Sequence, residues 1–158
     1  MTVDRHIDPA DLTAREAVRD VIARYTWAGD AGKAEVLAEL FVADGVLDVG
    51  DHGGRWVGRH EIVRQLAAVA DRVAAAGTAP GPVRHHVSSL IVTHTSPTEA
   101  ESSSYFLVLT GIGVDHWGRY RDRLVVDPVD GCWRFEERVV RVDGHAPGSL
   151  MVRQPGSA

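Results

Sequence analysis

Apolar side chains recur along the first part of the chain at helical intervals. Ala14, Val18, Val21, Ile22 and Tyr25 lie one or three to four residues apart, which gathers them on one face of a helix. Thr13 and Glu16 have the spacing of a capping box, with Leu12 before them as a staple residue, so the helix is expected to start near Thr13. Gly29-Asp30-Ala31-Gly32 interrupts the pattern. Lys33 to Leu40, with Val36, Leu37 and Leu40 on one side, then reads as a short second helix ahead of Phe41, leaving Asp30 in a turn between two helices. Val46-Leu47-Asp48-Val49 and Arg55-Trp56-Val57 flank the turn residues Gly50-Asp51-His52-Gly53-Gly54 and suggest a hairpin. Gly58 precedes a third helix over about Glu61–Ala75, and Gly77 to Pro82 reads as a loop.

From Val83 the periodicity becomes that of strands. Val83–His94, Ala100–Gly111, His116–Asp127 and Cys132–Asp143 are separated by Ser96-Pro97-Thr98, Gly111-Ile112-Gly113 and Pro128-Val129-Asp130-Gly131, short connections that predict an antiparallel meander. Three helices followed by a long-stranded sheet make an α+β domain, with helices over one face of a curved sheet and room for a pocket between the layers. Residues 1–10 are expected to be an N-terminal extension and residues 11–143 the single domain. Residues 144–158, opening on Gly144-His145-Ala146-Pro147-Gly148, are expected to form a tail that is loose or draped over a neighbouring subunit.

Composition removes several functions. A length of 158 residues fits one domain with a closed core, and 44% hydrophobic with 25% charged residues is ordinary for a globular protein. Seventeen basic against 22 acidic side chains give a formal charge of −5, and no basic stripe interleaves with aromatics, which argues against nucleic acid as a partner. Apolar runs such as Leu66 to Ala70 are far too short for a membrane span. The start Met1-Thr2-Val3-Asp4-Arg5-His6 lacks the apolar core of a signal peptide, and the single Cys132 excludes an intrachain disulfide framework, so the cytoplasm is the expected compartment. Eight histidines raise the question of a metal, yet no His-x-His or His-x-x-x-His occurs, and no metal site is expected. No phosphate-cradling glycine loop joins a strand to a helix, and Cys132 has no activating partner in sequence.

The chemistry-bearing residues are Asp30, at the end of the amphipathic segment, and His85 and His86, at the start of a strand-rich stretch. A carboxylate bonded to one imidazole nitrogen fixes the tautomer and stabilises the imidazolium, and the other nitrogen is then free to take a proton near neutral pH. Strand alternation puts His85 with Val87, Ser89 and Ile91, and His86 with Ser88, Leu90 and Val92, so only one histidine should reach an interior site. His85 is the expected base, with His86 as the second candidate. Tyr25, with Ser89 or Arg138, could donate to a developing oxyanion. Trp27, Trp56 and Trp117 read as pocket or interface residues, and Tyr105 and Tyr120 complete the candidate substrate-contacting set. Each has a plainer explanation: Asp is common in turns, a strand histidine is commonly packing or surface, and Tyr25 lies on the apolar helical face where a core tyrosine fits. Arg119, Arg121 and Arg123 alternate on one strand face, as a solvated surface or subunit contact would.

The order Ile22-Ala23-Arg24-Tyr25 leading to Gly29-Asp30, then Leu40-Phe41-Val42-Ala43-Asp44-Gly45, Arg84-His85-His86-Val87-Ser88-Ser89 and Trp133-Arg134-Phe135, resembles the SnoaL-like branch of the nuclear-transport-factor-2-like superfamily over roughly residues 10 to 143. The resemblance implies a cone-shaped α+β barrel, a curved antiparallel or mixed sheet wrapped around helices, with an apolar cavity opening near the first helices. It also implies a homodimer or homotrimer with no metal or organic cofactor. In dehydratase-like and dehydrochlorinase-like members an Asp and a His face the cavity; Asp30 matches the first position, His85 the second better than His86, and Tyr25 a pocket position. The expected function is a cofactor-independent dehydratase, isomerase or cyclase acting on an apolar oxygenated small molecule such as a polyketide, terpenoid or steroid. Because this superfamily hosts many activities, two alternatives stand beside it. One is epoxide hydrolysis, which needs paired Asp residues bridged by Arg and finds only Arg141-Val142-Asp143 here. The other is a non-catalytic binding or subunit-assembly module. Asp122 is the nearest residue to the strand carboxylates of steroid-isomerase relatives.

Overall fold

The first helix starts at Pro9, ahead of the expected Thr13. In the computed structural model, which describes residues 8–75 and 81–152, α1 spans Pro9–Asp30, and the Asp8 carboxylate accepts the Ala10 N–H at 2.9 Å. Pro9 opens the helix, where its missing N–H has no partner to lose. Thr13 is already one turn inside and donates its hydroxyl to the Pro9 carbonyl, so the expected capping box is not the one used. At the other end the Lys33 N–H donates to the Ala28 carbonyl at 2.9 Å and the Gly32 N–H to Gly29 at 3.0 Å. These are the paired bonds of a Schellman ending, with Gly32 at φ 66° in the left-handed conformation that glycine adopts without penalty. Asp30 is therefore the last residue of α1, continuous with the helix that was expected to break before it.

The short α2 (Ala34–Ala38) leads into β1 (Phe41–Asp48), a single 3-10 turn (Gly50–His52), β2 (Arg55–Val57) and α3 (Arg59–Ala75). Then come β3 (Arg84–Ser96), β4 (Glu99–Thr110), β5 (Gly113–Val126) and β6 (Trp133–His145). The last four form the expected antiparallel meander, and the full sheet has the order β2-β1-β6-β5-β4-β3, with β1 parallel to β6. The sheet is thus mixed. Its inner face and the apolar face of α1 enclose the core, in which Val18, Phe41, Ile62 and Phe135 are fully buried. Burying side chains of this size contributes roughly 1.5–3 kcal/mol each. The expected loop over Gly77–Pro82, the N-terminal extension and the last six residues of the tail lie largely or wholly outside the described residues. Among the described residues no helix is long and apolar enough to cross a membrane.

Two bulges decide which side chains face inward. In β3, Ser88 pairs with Tyr105 and Ile91 with Ser103, so the β3 side holds one extra residue, and Ser89 takes φ 52° to accommodate it. In β5, His116 pairs with Val108 while Val114 pairs with Leu109, which leaves Asp115 as the extra residue. Asp115 and His116 are consequently both buried although they are neighbours in a strand. The tail also departs from expectation. Residues 146–152 fold back on their own sheet, where the Ala146 N–H donates to the Asp115 carbonyl at 2.7 Å and Ser149 and Val152 are buried.

Candidate active site

The C-terminus of α1 delivers Asp30 to the start of β3. Its Oδ1 lies 2.6 Å from His85 Nδ1, and its two oxygens accept the His85 backbone N–H at 3.2 Å each. A carboxylate in the last turn of a helix opposes the helix dipole, at a cost of about 0.3–1 kcal/mol. Hydrogen bonds to a charged group contribute about 1.5–3 kcal/mol, so His85 more than offsets that penalty. Because the carboxylate only accepts, Nδ1 carries a proton, and in the neutral ring Nε2 presents its lone pair. His85 remains partly accessible.

A second pair of the same type faces the first. His116 Nδ1 lies 2.7 Å from Asp115 Oδ1, and the two histidine rings stand edge to face with centroids 6.4 Å apart. Asp115 also accepts from the Ser149 hydroxyl at 2.6 Å and the Thr110 hydroxyl at 3.1 Å. The strand register builds this arrangement: His85 is opposite Val108, Val108 opposite His116, and His116 opposite His145. Burial pushes the His116 imidazolium below its ordinary range; Asp115 works against that shift, and His85 and His145 add to it. His116 forms one wall of a cavity of about 160 Å³ bounded also by Trp56, Val69, Val140, Val142 and Met151. Trp56 is held there by donating its indole N–H to the Gly53 carbonyl at 2.8 Å. Sequence reasoning missed His116 and Asp115, because regular alternation sends adjacent residues to opposite faces and only the β5 bulge turns both inward.

Arg138 was expected to face substrate, but it is a wholly buried member of an ion pair. Its Nε and Nη2 donate to Asp122 at 2.8 and 2.9 Å, Asp122 also accepts the Ser102 hydroxyl at 2.9 Å, and both charged side chains have zero exposure. Register explains the cluster, since Ser102, Asp122 and Arg138 lie opposite one another on β4, β5 and β6. The guanidinium carbon lies 4.2 Å from the centroids of Tyr25 and Tyr120 and 4.4 Å from that of Phe135. Burial works against its charge, and the Asp122 carboxylate more than compensates, so its pKa is raised. Among the described residues Nη1 has no hydrogen-bond partner. Tyr25 is partly buried with its ring against Phe135 at 5.7 Å, and burial raises its hydroxyl pKa, opposed by the neighbouring Arg138. Tyr120 is buried and stacks on Phe106 at 4.5 Å; burial likewise raises its pKa.

The other expected residues lie elsewhere. His86 is exposed on the face opposite His85. Ser89 was expected on the His85 face, but the bulge turns it out to a shallow surface groove beside Trp27, itself 77% exposed. Tyr105 and Trp117 project from the outer sheet face, and Trp117 lies so close over Gly144 that a Cβ there would sit 2.3 Å from the indole. Arg141 pairs with Asp48, and Arg119 with Asp143, so the Arg-x-Asp segment bridges no second carboxylate. Among the described residues no group of three His, Cys, Asp or Glu side chains is arranged to hold a metal ion.

The SnoaL-like domain family matches residues 10–139. Similar solved structures include a scytalone dehydratase candidate from Novosphingobium aromaticivorans, 26% identical over 94% of this chain and 97% of that one, with a TM-score of 0.73. A protein from Catenulispora acidiphila is 30% identical over 85% of this chain and 94% of its own, also with a TM-score of 0.73. A nuclear-transport-factor-2-like protein with a cystatin-like fold, again from N. aromaticivorans, is 24% identical over 92% and 96% of the two chains, with a TM-score of 0.70, and shares the fold. No curated protein matches the chain.

Proposed function

The chain belongs to the SnoaL-like domain family, and from that premise we propose that it is a cofactor-independent acid–base enzyme of dehydratase, isomerase or cyclase type. The similarity to a scytalone dehydratase candidate supports this reading. The observation that carries it is the 2.6 Å contact between Asp30 and His85 beside a second carboxylate-backed imidazole.

Two rings whose centroids are 6.4 Å apart repel when both are protonated, and the reaction uses the form in which one ring is neutral and the other charged. The neutral ring takes a proton from the carbon next to a carbonyl, and the C–H electrons form the new double bond. The protonated ring gives its proton to the departing hydroxyl on the neighbouring carbon, which leaves as water. The two rings exchange protonation states, and a proton passed between them through a water resets the site. Each proton transfer contributes roughly 10²–10⁴-fold, and orientation in the cavity adds to it. Isomerisation uses the same groups without loss of water.

The cavity narrows the substrate class. About 160 Å³ is close to the ~150 Å³ of an engineered apolar cavity that takes benzene. One-ring oxygenated molecules suit a volume of this size better than the larger polyketides, terpenoids and steroids first expected. Epoxide opening fits less well, because Arg138 bridges only Asp122. The contact between Asp30 and His85 also weakens the case for a purely binding role.

We further propose that the chain self-associates through the outer sheet face, where Tyr105, Leu107 and Trp117 are exposed apolar residues beside exposed Arg121 and Glu101. The catalytic reading is tested with a panel of one-ring β-hydroxy ketones, following enone absorbance. Turnover by the wild type that falls at least about 10²-fold in His85→Ala and Asp30→Asn, with folding retained, supports it. Equal turnover in all three overturns it.

A further inference from the structure

The chain after β6 forms part of the wall of the cavity that His116 lines, and Ser149 fastens it to the carboxylate that holds His116. The Ala146 N–H donates to the Asp115 carbonyl at 2.7 Å, the Ser149 N–H to the Ala146 carbonyl at 3.0 Å, and the Ser149 hydroxyl to Asp115 Oδ1 at 2.6 Å. The Val152 N–H in turn donates to the Ser149 hydroxyl oxygen at 3.1 Å. Ser149 and Val152 are buried, at 9% and 5% exposure, and Met151 and Val152 form part of the cavity wall. The Asp115 oxygen that receives Ser149 is the same Oδ1 that receives His116 Nδ1. One oxygen thus bonds both Ser149 of the strap over residues 146–152 and the imidazole beneath it.

We propose that Ser149 is a positioning residue: by sharing Asp115 Oδ1 with His116, it couples seating of the 146–152 strap over the cavity to the basicity and orientation of that imidazole. The inference rests on the reading of His116 as part of the acid–base site, and it adds a residue and a moving element to that site. When the strap is seated, two donors divide the negative charge of Oδ1, and the third donor, Thr110, occupies Oδ2. His116 then receives less stabilisation of its charged form. When the strap lifts, Ser149 withdraws, water enters, and the imidazolium is favoured on both counts. Closing the cavity therefore makes His116 a stronger acid at the moment substrate is enclosed. The other ionisable groups around the ring are His85 on β3, His145 on β6, and His52 and Arg72, which line the same cavity from the 3-10 turn and α3. Protonation of His85, His145 or His52, or approach of Arg72, would lower the His116 pKa, whereas loss of Ser149 raises it, so the direction of the change separates these sources.

The test uses the full chain as wild type, Ser149→Ala and Ser149→Thr, without substrate. The His116 pKa and tautomer are read from ring-nitrogen NMR, and strap seating from hydrogen exchange of the Val152 amide. Ser149→Ala is expected to speed Val152 exchange by about tenfold or more, as loss of one hydrogen bond worth about 1.4 kcal/mol would, and to raise the His116 pKa. Ser149→Thr, which keeps the hydroxyl, should restore both toward wild type. Faster Val152 exchange with an unchanged His116 would show a merely structural strap and overturn the coupling, as would no change in Val152. Linkage supplies a reciprocal measurement in the wild type alone: Val152 protection, corrected for intrinsic exchange, should change with a midpoint at the His116 pKa. A flat profile through that pH also overturns the proposal. None of these readouts depends on turnover, so failure of the strap coupling and failure of the catalytic reading are separate results.

Discussion

Removing the Asp122 carboxylate should leave the Arg138 guanidinium charged and buried without its counterion. Both side chains have zero exposure, two bonds of 2.8 and 2.9 Å join them, and the three aromatic rings around the guanidinium supply no hydrogen-bond acceptor of comparable strength. Breaking a buried pair from one side costs about 3–5 kcal/mol, whereas replacing both members by apolar residues of similar volume is often near neutral. For a chain of 158 residues a loss of that size lowers Tm by roughly 6–20 °C, at ~2–4 °C per kcal/mol. The assay is a double-mutant cycle by thermal and urea unfolding: Asp122→Leu, Arg138→Met, and the pair Asp122→Leu/Arg138→Met. Each single change should destabilise by about 3 kcal/mol or more, and the paired change by clearly less than their sum, with a coupling of at least about 3 kcal/mol. Additive losses would refute the claim that the pair acts as one unit. The paired variant should still carry the Asp30–His85 contact while lacking the charge over Tyr25, which separates the stability of the site from its chemistry.

Acidification should unfold the protein partly through His116. Its pKa is lowered in the folded state from the ordinary 6.5, so the unfolded chain binds the proton first and stability falls as pH drops through 6.5 toward the folded value. Melting curves from pH 8 to 5 should therefore decline less in His116→Phe than in wild type, and parallel curves would contradict the assignment. Gly32→Ala, at φ 66° with nothing within 4 Å of the added Cβ, should cost about 1–2 kcal/mol from backbone strain alone, and Gly32→Asn less. Unchanged urea midpoints would be the opposing result. Leu107→Glu on the outer sheet face should shift the sedimenting species toward monomer without lowering Tm, and an unchanged mass would exclude that face as the contact.

The contact between Asp30 and His85 was legible in the sequence partly because each sits at the end of an element and chiefly through the resemblance to the SnoaL-like family. The helix ending built by Ala28, Gly29, Gly32 and Lys33 then needs only local bonds to place Asp30. Asp115 and His116 were hidden by a bulge that depends on the pairing of β5 with β4, which nothing in the local sequence states. The same cause misplaced Ser89, whose alternation is broken by the β3 bulge. Arg138 read as a substrate-facing donor, and only the alignment of Ser102, Asp122 and Arg138 across three strands provides its partner. Trp27 and Trp117 read as pocket or interface residues by residue type; which of the two depends on tertiary packing, and that leaves both exposed. The parallel pairing of β1 with β6 joins residues some ninety positions apart, beyond the reach of periodicity.

The most direct test of the account is proton exchange at carbon, which requires the acid–base groups and no knowledge of the natural substrate. One-ring cyclic ketones are incubated in deuterium oxide with the protein, and loss of the signal from the protons next to the carbonyl is followed by NMR. The paired imidazoles predict acceleration by the wild type that falls at least about 10²-fold in His85→Ala and in Asp30→Asn. Exchange no faster than in buffer across the panel, or equally fast in both variants, would contradict the claim that this site moves protons.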